Sequence, residues 1–183
     1  PGSSGVALVR DSLGFAVGQA LQENYDVIGF DPRGVGDSSA VACLDAAGMD
    51  SFVFDIPPGQ RRSAEWDAFV VEQQQKFAAA CEQNSDGILP FITTGNAAQD
   101  MDLLRAVLGD EKLNYLGYSY GTFLGATYAK HYPDRVGRLV LDGAIDPSLS
   151  GLDVSTQQAI GFENALRAYM ASCVGQSDCP FSG

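Results

Sequence analysis

The sequence predicts an α/β fold in which a parallel sheet is flanked by helices. Two patterns indicate it: short apolar segments of strand length alternate with longer helical segments, and those apolar segments are continuous rather than interrupted at every second residue. Continuous apolar strands are typical of a parallel sheet that helices cover on both faces. The 183 residues are 45% hydrophobic and 19% charged, which is enough apolar material for a core and unlike a disordered chain.

The first third of the chain predicts a helix, a strand and a turn. Residues 12–22 predict a helix that tolerates two glycines, and residues 25–30 form a short apolar run that predicts a buried strand. The run ends at Asp31-Pro32-Arg33-Gly34, a turn sequence in which we expect Arg33 to pair with a carboxylate as a support. Residues 40–60 show no periodicity and are predicted to be irregular.

The later elements alternate between helices and strands. Ser63 can cap a helix, and Gly109 follows the end of a second one. In chain order, the pattern predicts helices over residues 63–81 and 94–108, a strand over 113–116, a helix over 122–131, a strand over 136–141 and a helix over 153–171.

Charge and composition argue against several classes of partner. Basic residues number 11 and acidic residues 23, a formal net charge of −12, and no cluster of Lys and Arg could bind phosphates, so we expect no nucleic-acid partner. No run of about 18 or more apolar residues occurs, so we expect no membrane-spanning segment. One His and no Cys-x-x-Cys pair are too few ligands for a zinc site, so we expect no metal.

The four cysteines bear on the cellular location. Cys173 and Cys179 are separated by five residues, a spacing that can close a small disulfide loop and would leave Cys43 with Cys81. Four cysteines allow more than one pairing, and the sequence alone does not choose among them. Disulfides would indicate a secreted or cell-surface protein, whereas four buried thiols would be typical of a cytosolic one; we favour disulfides.

The strongest chemical signal is the segment Gly117-Tyr118-Ser119-Tyr120-Gly121. This Gly-x-Ser-x-Gly pattern lies between a predicted strand and a predicted helix, where a sharp turn would expose Ser119 as a nucleophile at the sheet's carboxyl edge. The backbone N–H of Tyr120 would serve as an oxyanion donor at the positive end of the helix. The opening loop, Pro1–Gly5, would hold a second donor. The alternative for Ser119 is an ordinary serine in a glycine-rich turn. The alternative for the opening loop is a flexible chain end.

Three stretches resemble the α/β-hydrolase fold, and more closely the proline iminopeptidase and secreted actinobacterial tripeptidyl aminopeptidase group of serine peptidases. They are Pro1–Gly5, YDVIGFDPRGVGDSS (25–39) and residues 93–147, which include GYSYGTFLGATYAKHYPDRVGRLVLDGAIDP. The resemblance implies a Ser-Asp-His triad, a helical cap after the strand at 136–141, a peptide substrate shortened from its free amino terminus, and no cofactor. It places one oxyanion donor in a Gly-Gly-Pro-Gly loop, for which Gly2 is the stand-in here. The placement of the cysteines also resembles that of the secreted group.

The chain departs from that family's triad. Its only His, His131, lies twelve residues after Ser119 on the same predicted helix, about 18 Å away, and is expected to be structural. Asp142 follows the strand at 136–141 and is expected to tie down the loop there rather than to act as the triad acid. The sequence therefore holds a nucleophile without its general base.

We accordingly expect an incomplete α/β-hydrolase fold, with early strands, most of the cap and the C-terminal strands outside this chain. Residues 1–148 would form a partial core with an insertion at about 40–90, and residues 149–183 would begin a helical cap or lid. The remainder of the parent enzyme would be a necessary partner, and the isolated chain would be inactive.

An exposed nucleophilic serine fits more than one activity. The first hypothesis is a serine exopeptidase that releases short peptides or residues from free amino termini through an acyl-enzyme. The alternatives are an esterase or lipase on the same fold, because acyl transfer to water is shared, and a non-catalytic binding module, because this sequence holds no His partner for Ser119.

Overall fold

The computed structural model describes residues 4–181, in which the chain divides into two compact units at Glu111/Lys112. The first unit contains helices α1 (Gly5–Ala16), α2 (Gln19–Gln22), α3 (Ala46–Phe54), α4 (Ala64–Asn84) and α5 (Thr94–Val107). The second contains β1 (Leu113–Tyr118), α6 (Tyr120–His131), β2 (Val136–Asp142) and α7 (Gly151–Val174). Short 3₁₀ turns at Leu89–Phe91 and Pro133–Arg135 precede α5 and β2. Among residues 4–181, none of the helices combines the length and the apolar character that crossing a bilayer requires.

Side-chain caps determine where several predicted helices begin. The hydroxyls of Ser63 and Thr93 accept hydrogen bonds of 3.2 and 3.1 Å from first-turn N–H groups of α4 and α5. Ser150 and Asp153 form a reciprocal capping box at the start of α7. Such caps satisfy N–H groups that have no acceptor within the helix. The helices predicted over 63–81, 94–108, 122–131 and 153–171 are confirmed, with ends displaced by a few residues.

The helix predicted over residues 12–22 is wrong in its bounds. α1 begins after Ser4, whose hydroxyl accepts a hydrogen bond from the Ala7 N–H (2.9 Å), and it ends at Ala16. Val17 and Gly18 are extended, and the short helix α2 follows them. Ser4 offers an earlier cap and Gly18 has a low helix propensity, so the boundaries move toward the amino terminus.

The buried strand predicted over residues 25–30 is also wrong. No strand forms there, and Ile28 is 56% exposed. A strand requires a hydrogen-bonded neighbour, and within residues 4–181 the sheet consists of β1 and β2 alone. The segment packs instead against the start of α1, where a Cβ on Gly29 would lie 2.1 Å from the Gly5 carbonyl oxygen. Glycine is required on both sides of this close backbone approach.

Helix α3 contradicts the prediction that residues 40–60 are irregular. The Asp45 carboxylate caps it by accepting a hydrogen bond from the Gly48 N–H (2.8 Å). The ring of Phe52 stacks on Phe77 of α4, with centroids 4.4 Å apart. None of the residues of α3 is fully buried, and the helix is only nine residues long and contains Gly48, whose low helix propensity weakens the sequence signal.

β1 and β2 form the parallel pair that the sequence predicts. Leu116 lies opposite Val140, and the two residues that follow Leu116 pair with the two that follow Val140. α6 connects the strands and packs on both, so the carboxyl ends of β1 and β2 meet at one edge. Val140 is 55% exposed and Tyr118 is 42% exposed, so the described residues leave the two strands partly uncovered, which is consistent with the expected incomplete fold.

Both expected cysteine pairs form disulfides, Cys43–Cys81 and Cys173–Cys179. Two side chains at the end of α4 support the first bridge: the Asn84 amide donates to the Cys43 carbonyl (2.6 Å), and the Ser85 hydroxyl donates to the Ala42 carbonyl (2.7 Å). The segment before α3 is thus joined to the end of α4 both covalently and by hydrogen bonds.

The turn at residues 31–37 is organised around the Asp31 carboxylate. It accepts hydrogen bonds from the Ser4 hydroxyl (2.6 Å), the Val6 N–H (3.3 Å) and the Asp37 N–H (3.0 Å). The hydrogen bond from Ser4, aided by those backbone N–H groups, lowers the pKa of Asp31. Gly36 adopts φ +53° within the turn, and a Cβ there would lie 2.1 Å from the Asp31 carboxylate.

Arg33 pairs with a carboxylate, as the sequence predicts. Its guanidinium donates two hydrogen bonds to Asp100 of α5, with N···O distances of 2.7 and 2.8 Å. A bidentate pair fixes orientation as well as distance, so it holds the turn against the helix.

Replacing Asp31 with Asn should lower the urea midpoint of unfolding at neutral pH and have less effect in acid. A carboxyl whose folded-state pKa lies below its unfolded value stabilises the fold above the unfolded pKa, and that contribution is lost as the pH falls through the folded pKa. The difference in midpoint between wild type and Asp31→Asn should therefore shrink from about pH 5 downward. A difference in midpoint that stays constant across this pH range would contradict the lowered pKa of Asp31 in the folded protein.

Candidate active site

Ser119 occupies the sharp turn between β1 and α6. Its backbone has φ 51° and ψ −116°, a region that residues with a side chain rarely adopt. Such a conformation costs on the order of 1–3 kcal/mol and persists only where its surroundings enforce it. The residue is exposed, so its hydroxyl is accessible from solvent. This is the strained, exposed serine that the Gly-x-Ser-x-Gly pattern predicts.

Three hydrogen bonds hold the Ser119 backbone in place. The Ser119 N–H donates to the Asp142 carbonyl at the end of β2 (2.9 Å), and the Ser119 carbonyl accepts from both the N–H and the hydroxyl of Thr122 (2.9 and 2.7 Å). The same Thr122 hydroxyl accepts from the Ile145 N–H (2.9 Å) and is 1% exposed. The turn at Ser119, referred to below as the elbow, is therefore joined to the loop that follows β2 through the buried hydroxyl of Thr122.

Tyr115 fills the space beneath the elbow. A Cβ on Gly117 would lie 2.6 Å from the Tyr115 ring and 2.6 Å from the Gly121 carbonyl oxygen, and one on Gly125 would lie 2.8 Å from the same ring. The Tyr115 hydroxyl donates to the Gly121 carbonyl (2.9 Å). Burial, with a smaller contribution from Tyr120, raises the pKa of Tyr115 to about 12, so the hydroxyl remains a donor at neutral pH.

The position of Tyr115 was not among the predicted site residues. A signal for it exists in the sequence, since glycines at 117, 121 and 125 recur at strand-to-helix and one-turn spacing. Gly117 lies in β1, and Gly121 and Gly125 lie in α6; together they leave room for the ring of Tyr115, which also comes from β1.

Tyr120 is the first residue of α6. The N–H groups of a helix's first turn point out of its amino-terminal end and give that end a partial positive charge. Ser119 directly precedes this end. A negative charge that develops beside the Ser119 hydroxyl would therefore be stabilised electrostatically.

Of the other residues considered from the sequence, one lies outside the part of the chain that the structure describes, and two lie within it. Gly2 lies outside the described residues. Asp142 contacts the elbow through its backbone carbonyl, and His131 lies in the last turn of α6 with its ring centroid 6.3 Å from that of Tyr132. In residues 4–181 no group of three or more His, Cys, Asp or Glu side chains is placed to hold a metal ion.

The family of the chain follows from a match that covers nearly all of it. Residues 5–183 match the family model described as alpha/beta hydrolase fold. The chain belongs to the α/β-hydrolase family. The strand–serine–helix geometry of β1, Ser119 and α6 is what that fold places at its active site.

Curated relatives agree with this membership. The chain is 37% identical over 184 residues to the serine protease Hip1 of Mycobacterium tuberculosis, which covers 98% of this chain and 35% of Hip1. It is 38% identical over 170 residues to the tripeptidyl aminopeptidase of Streptomyces coelicolor, covering 89% of this chain and 30% of that protein. The resemblance to tripeptidyl aminopeptidases stated from the sequence is confirmed.

A third relative carries a different kind of name. The chain is 37% identical over 182 residues to carboxylesterase B of Mycobacterium tuberculosis, covering 98% of this chain and 35% of that protein. The chain thus spans about a third of the length of the curated relatives it matches.

Substituting Gly117→Ala should destabilise the protein. The new Cβ would meet the Gly121 carbonyl and the Tyr115 ring at 2.6 Å, and overpacking of this kind costs about 1–3 kcal/mol. Gly161→Ala in α7 is the matched control: no atom lies within 4 Å of its added Cβ, so it should stabilise the helix by about 0.5–1 kcal/mol. Urea unfolding of both full-length variants measures the difference. Equal free energies of unfolding for the two would refute the packing described around Tyr115.

Proposed function

We propose that the protein is a serine hydrolase in which the Ser119 hydroxyl attacks an acyl carbonyl and forms an acyl-enzyme. The observation that carries the proposal is the strained, exposed backbone of Ser119 at the turn between β1 and α6. Backbone strain of this kind concentrates at functional sites. A serine that only closed a loop would be expected to relax to an ordinary conformation or be replaced by glycine.

The backbone N–H of Tyr120 is the proposed first oxyanion donor. When Ser119 attacks, the carbonyl oxygen gains negative charge beside the positive end of α6, which lowers the barrier because the donor is already oriented. The second donor is proposed to be Gly2, on the basis of the family resemblance. The attack transfers the serine proton to a base, and water then releases the acyl group and regenerates the hydroxyl.

The general base is proposed to come from the remainder of the protein. His131 sits at the far end of α6, about 18 Å from Ser119 by helix geometry, which is too far to accept its proton. The curated relatives are about three times longer than the aligned region. We place the triad His and Asp, and the strands that would pair with the segment at 25–30, in that remainder. The isolated chain would then lack turnover.

The chain's own division into parts is also a proposal. Residues 1–148 would form a partial hydrolase core with an insertion at about 40–90, and residues 149–183 would begin a lid. Support comes from α7, whose apolar side chains are exposed although they fall at helical spacing: Leu152, Phe162, Leu166 and Tyr169 are 77, 73, 56 and 56% exposed. An exposed apolar stripe of this kind is typical of a surface that a further element or ligand covers.

The substrate is proposed to be a peptide with a free amino terminus, from which short peptides or residues are released. The relatives named serine protease and tripeptidyl aminopeptidase support a peptidase. The two disulfides support export to an oxidising compartment, and hence a secreted or cell-surface protein. The relative named carboxylesterase B keeps an esterase as the second candidate.

Ser119→Ala in the full-length protein should lower kcat/KM by about 10⁴- to 10⁶-fold, because the nucleophile is lost while the fold is kept. Ser51→Ala in α3 is the control and should leave kcat/KM within about twofold of wild type, as an exposed helix position. Covalent labelling with a fluorophosphonate should modify Ser119 in wild type only. A folded, full-length protein in which Ser119 does not label would support the binding-module alternative instead.

The substrate class is decided by a panel of chromogenic compounds on the full-length protein. Peptide amides with a free amino terminus should be cleaved, and the same peptides with an acetylated amino terminus should lose at least about tenfold in kcat/KM, since an ammonium-binding site would be left unpaired. Short-chain esters provide the comparison. Ester turnover without amide cleavage would identify the esterase candidate, while Ser119 labelling would still establish the nucleophile.

A further inference from the structure

The segment that joins α3 to α4, residues 55–63, has a feature that acyl transfer does not explain. It carries Arg61 and Arg62 side by side, two of only 11 basic residues in a chain with net charge −12. Both residues are exposed. We refer to residues 55–63 as the α3–α4 loop.

The backbone of the α3–α4 loop is irregular and partly strained. It forms a turn in which the Ser63 N–H donates to the Gln60 carbonyl (2.9 Å). Arg62 within that turn has φ 69°, which is unfavourable for a residue with a side chain, and Gly59 has φ 78°. This strain raises the free energy of the closed turn. Opening the turn therefore requires less free energy than opening a relaxed turn would.

The chain before the turn is weakly anchored. α3 has no fully buried residue, and Phe54 and Ile56 are 73% and 85% exposed. A protease binds its substrate as an extended strand, so cleavage of a folded protein requires local unfolding. Few buried contacts oppose local unfolding on the amino-terminal side of Arg62.

The other basic residues are less accessible to a protease. Most lie within helices or strands: Arg10, Lys76, Arg105, Lys130, Arg138 and Arg167. Arg33 is held by Asp100, and the Arg135 guanidinium lies 5.3 Å from the Tyr132 ring centroid. Lys112 lies outside regular structure, but it has no basic neighbour and two acidic residues precede it.

We propose that the Arg62–Ser63 peptide bond is a cleavage site for an endoprotease that recognises paired basic residues. Hydrolysis breaks the C–N bond and adds one water across it: the water oxygen joins the Arg62 carbonyl carbon, and both water protons end on the Ser63 nitrogen, which leaves a carboxylate on Arg62 and an ammonium group as the new amino terminus. No electrons are transferred. Arg61 and Arg62 supply the two cations that carboxylate-lined subsites of such a protease bind.

The cut product stays covalently joined. The bond lies between Cys43 and Cys81, whose disulfide connects the two sides of the cut. The hydrogen bonds from Asn84 and Ser85 to residues 42–43 reinforce that junction. Cleavage therefore gives a two-chain form of the protein, and the proposal is independent of the role of Ser119.

Limited proteolysis of the full-length protein tests the site. Trypsin and, separately, an endoprotease specific for paired basic residues are applied at low ratio, and the earliest cut within residues 1–183 is mapped by mass spectrometry. We expect that cut at Arg62, with an intact mass increased by one water before reduction and two fragments after reduction. An earliest cut at Lys112 or at any basic residue of a helix or strand would overturn the proposal.

Two variants make the result specific. Arg61→Gln with Arg62→Gln should slow the first cleavage by at least about tenfold, because cleavage rate tracks both recognition and local opening. Lys112→Gln is the matched control and should leave the rate unchanged. Equal slowing by both variants, or fragments that separate without a reductant, would count against a built-in site bridged by Cys43–Cys81.

Discussion

The geometry of the second unit depends on one buried hydroxyl. Thr122 Oγ1 donates to the Ser119 carbonyl and accepts from the Ile145 N–H, so it joins the turn after β1 to the loop after β2. A buried hydroxyl left unpaired would cost about 1–3 kcal/mol, whereas here both its donor and acceptor capacities are used. The two hydrogen bonds of the Thr122 hydroxyl help to offset the local strain at Ser119 and to fix the direction in which its side chain leaves the backbone.

Close packing supplies the second constraint on the same elbow. Leu124 and Tyr128 of α6 are 3% and 0% exposed, and the glycines that flank the Tyr115 ring allow the helix to approach β1 within contact distance. A hydrogen-bond network restrains direction, while packing restrains distance. Both are needed to hold a serine in a conformation that it would leave if free to do so.

The sequence predicts the turn at Ser119 and the parallel pair of β1 and β2, but it does not show which further apolar segments find a partner strand. The Gly-x-Ser-x-Gly pattern at Ser119 and the cap at Ser63 are local, so the sequence predicts them, whereas the hydrogen bonds that join the turn at Ser119 to Asp142 and Ile145 are not visible in it. The segment at 25–30 has the composition of a strand, but a ladder partner decides whether a strand forms, and composition does not supply one. α3 was not predicted because it is only nine residues long and contains Gly48, which disfavours a helix. Tyr115 escaped because its importance lies in three glycines that surround it in space.

The left-handed backbone at Ser119 sets stability and chemistry against each other. Glycine reaches such a φ without the penalty that a side chain incurs, so replacing the serine by glycine would relieve the backbone strain. Residue 119 would then be a relaxed hinge with nothing to react. A protein that keeps a serine at this position has a less stable backbone there than one with glycine, as is typical of a residue whose side chain has a role.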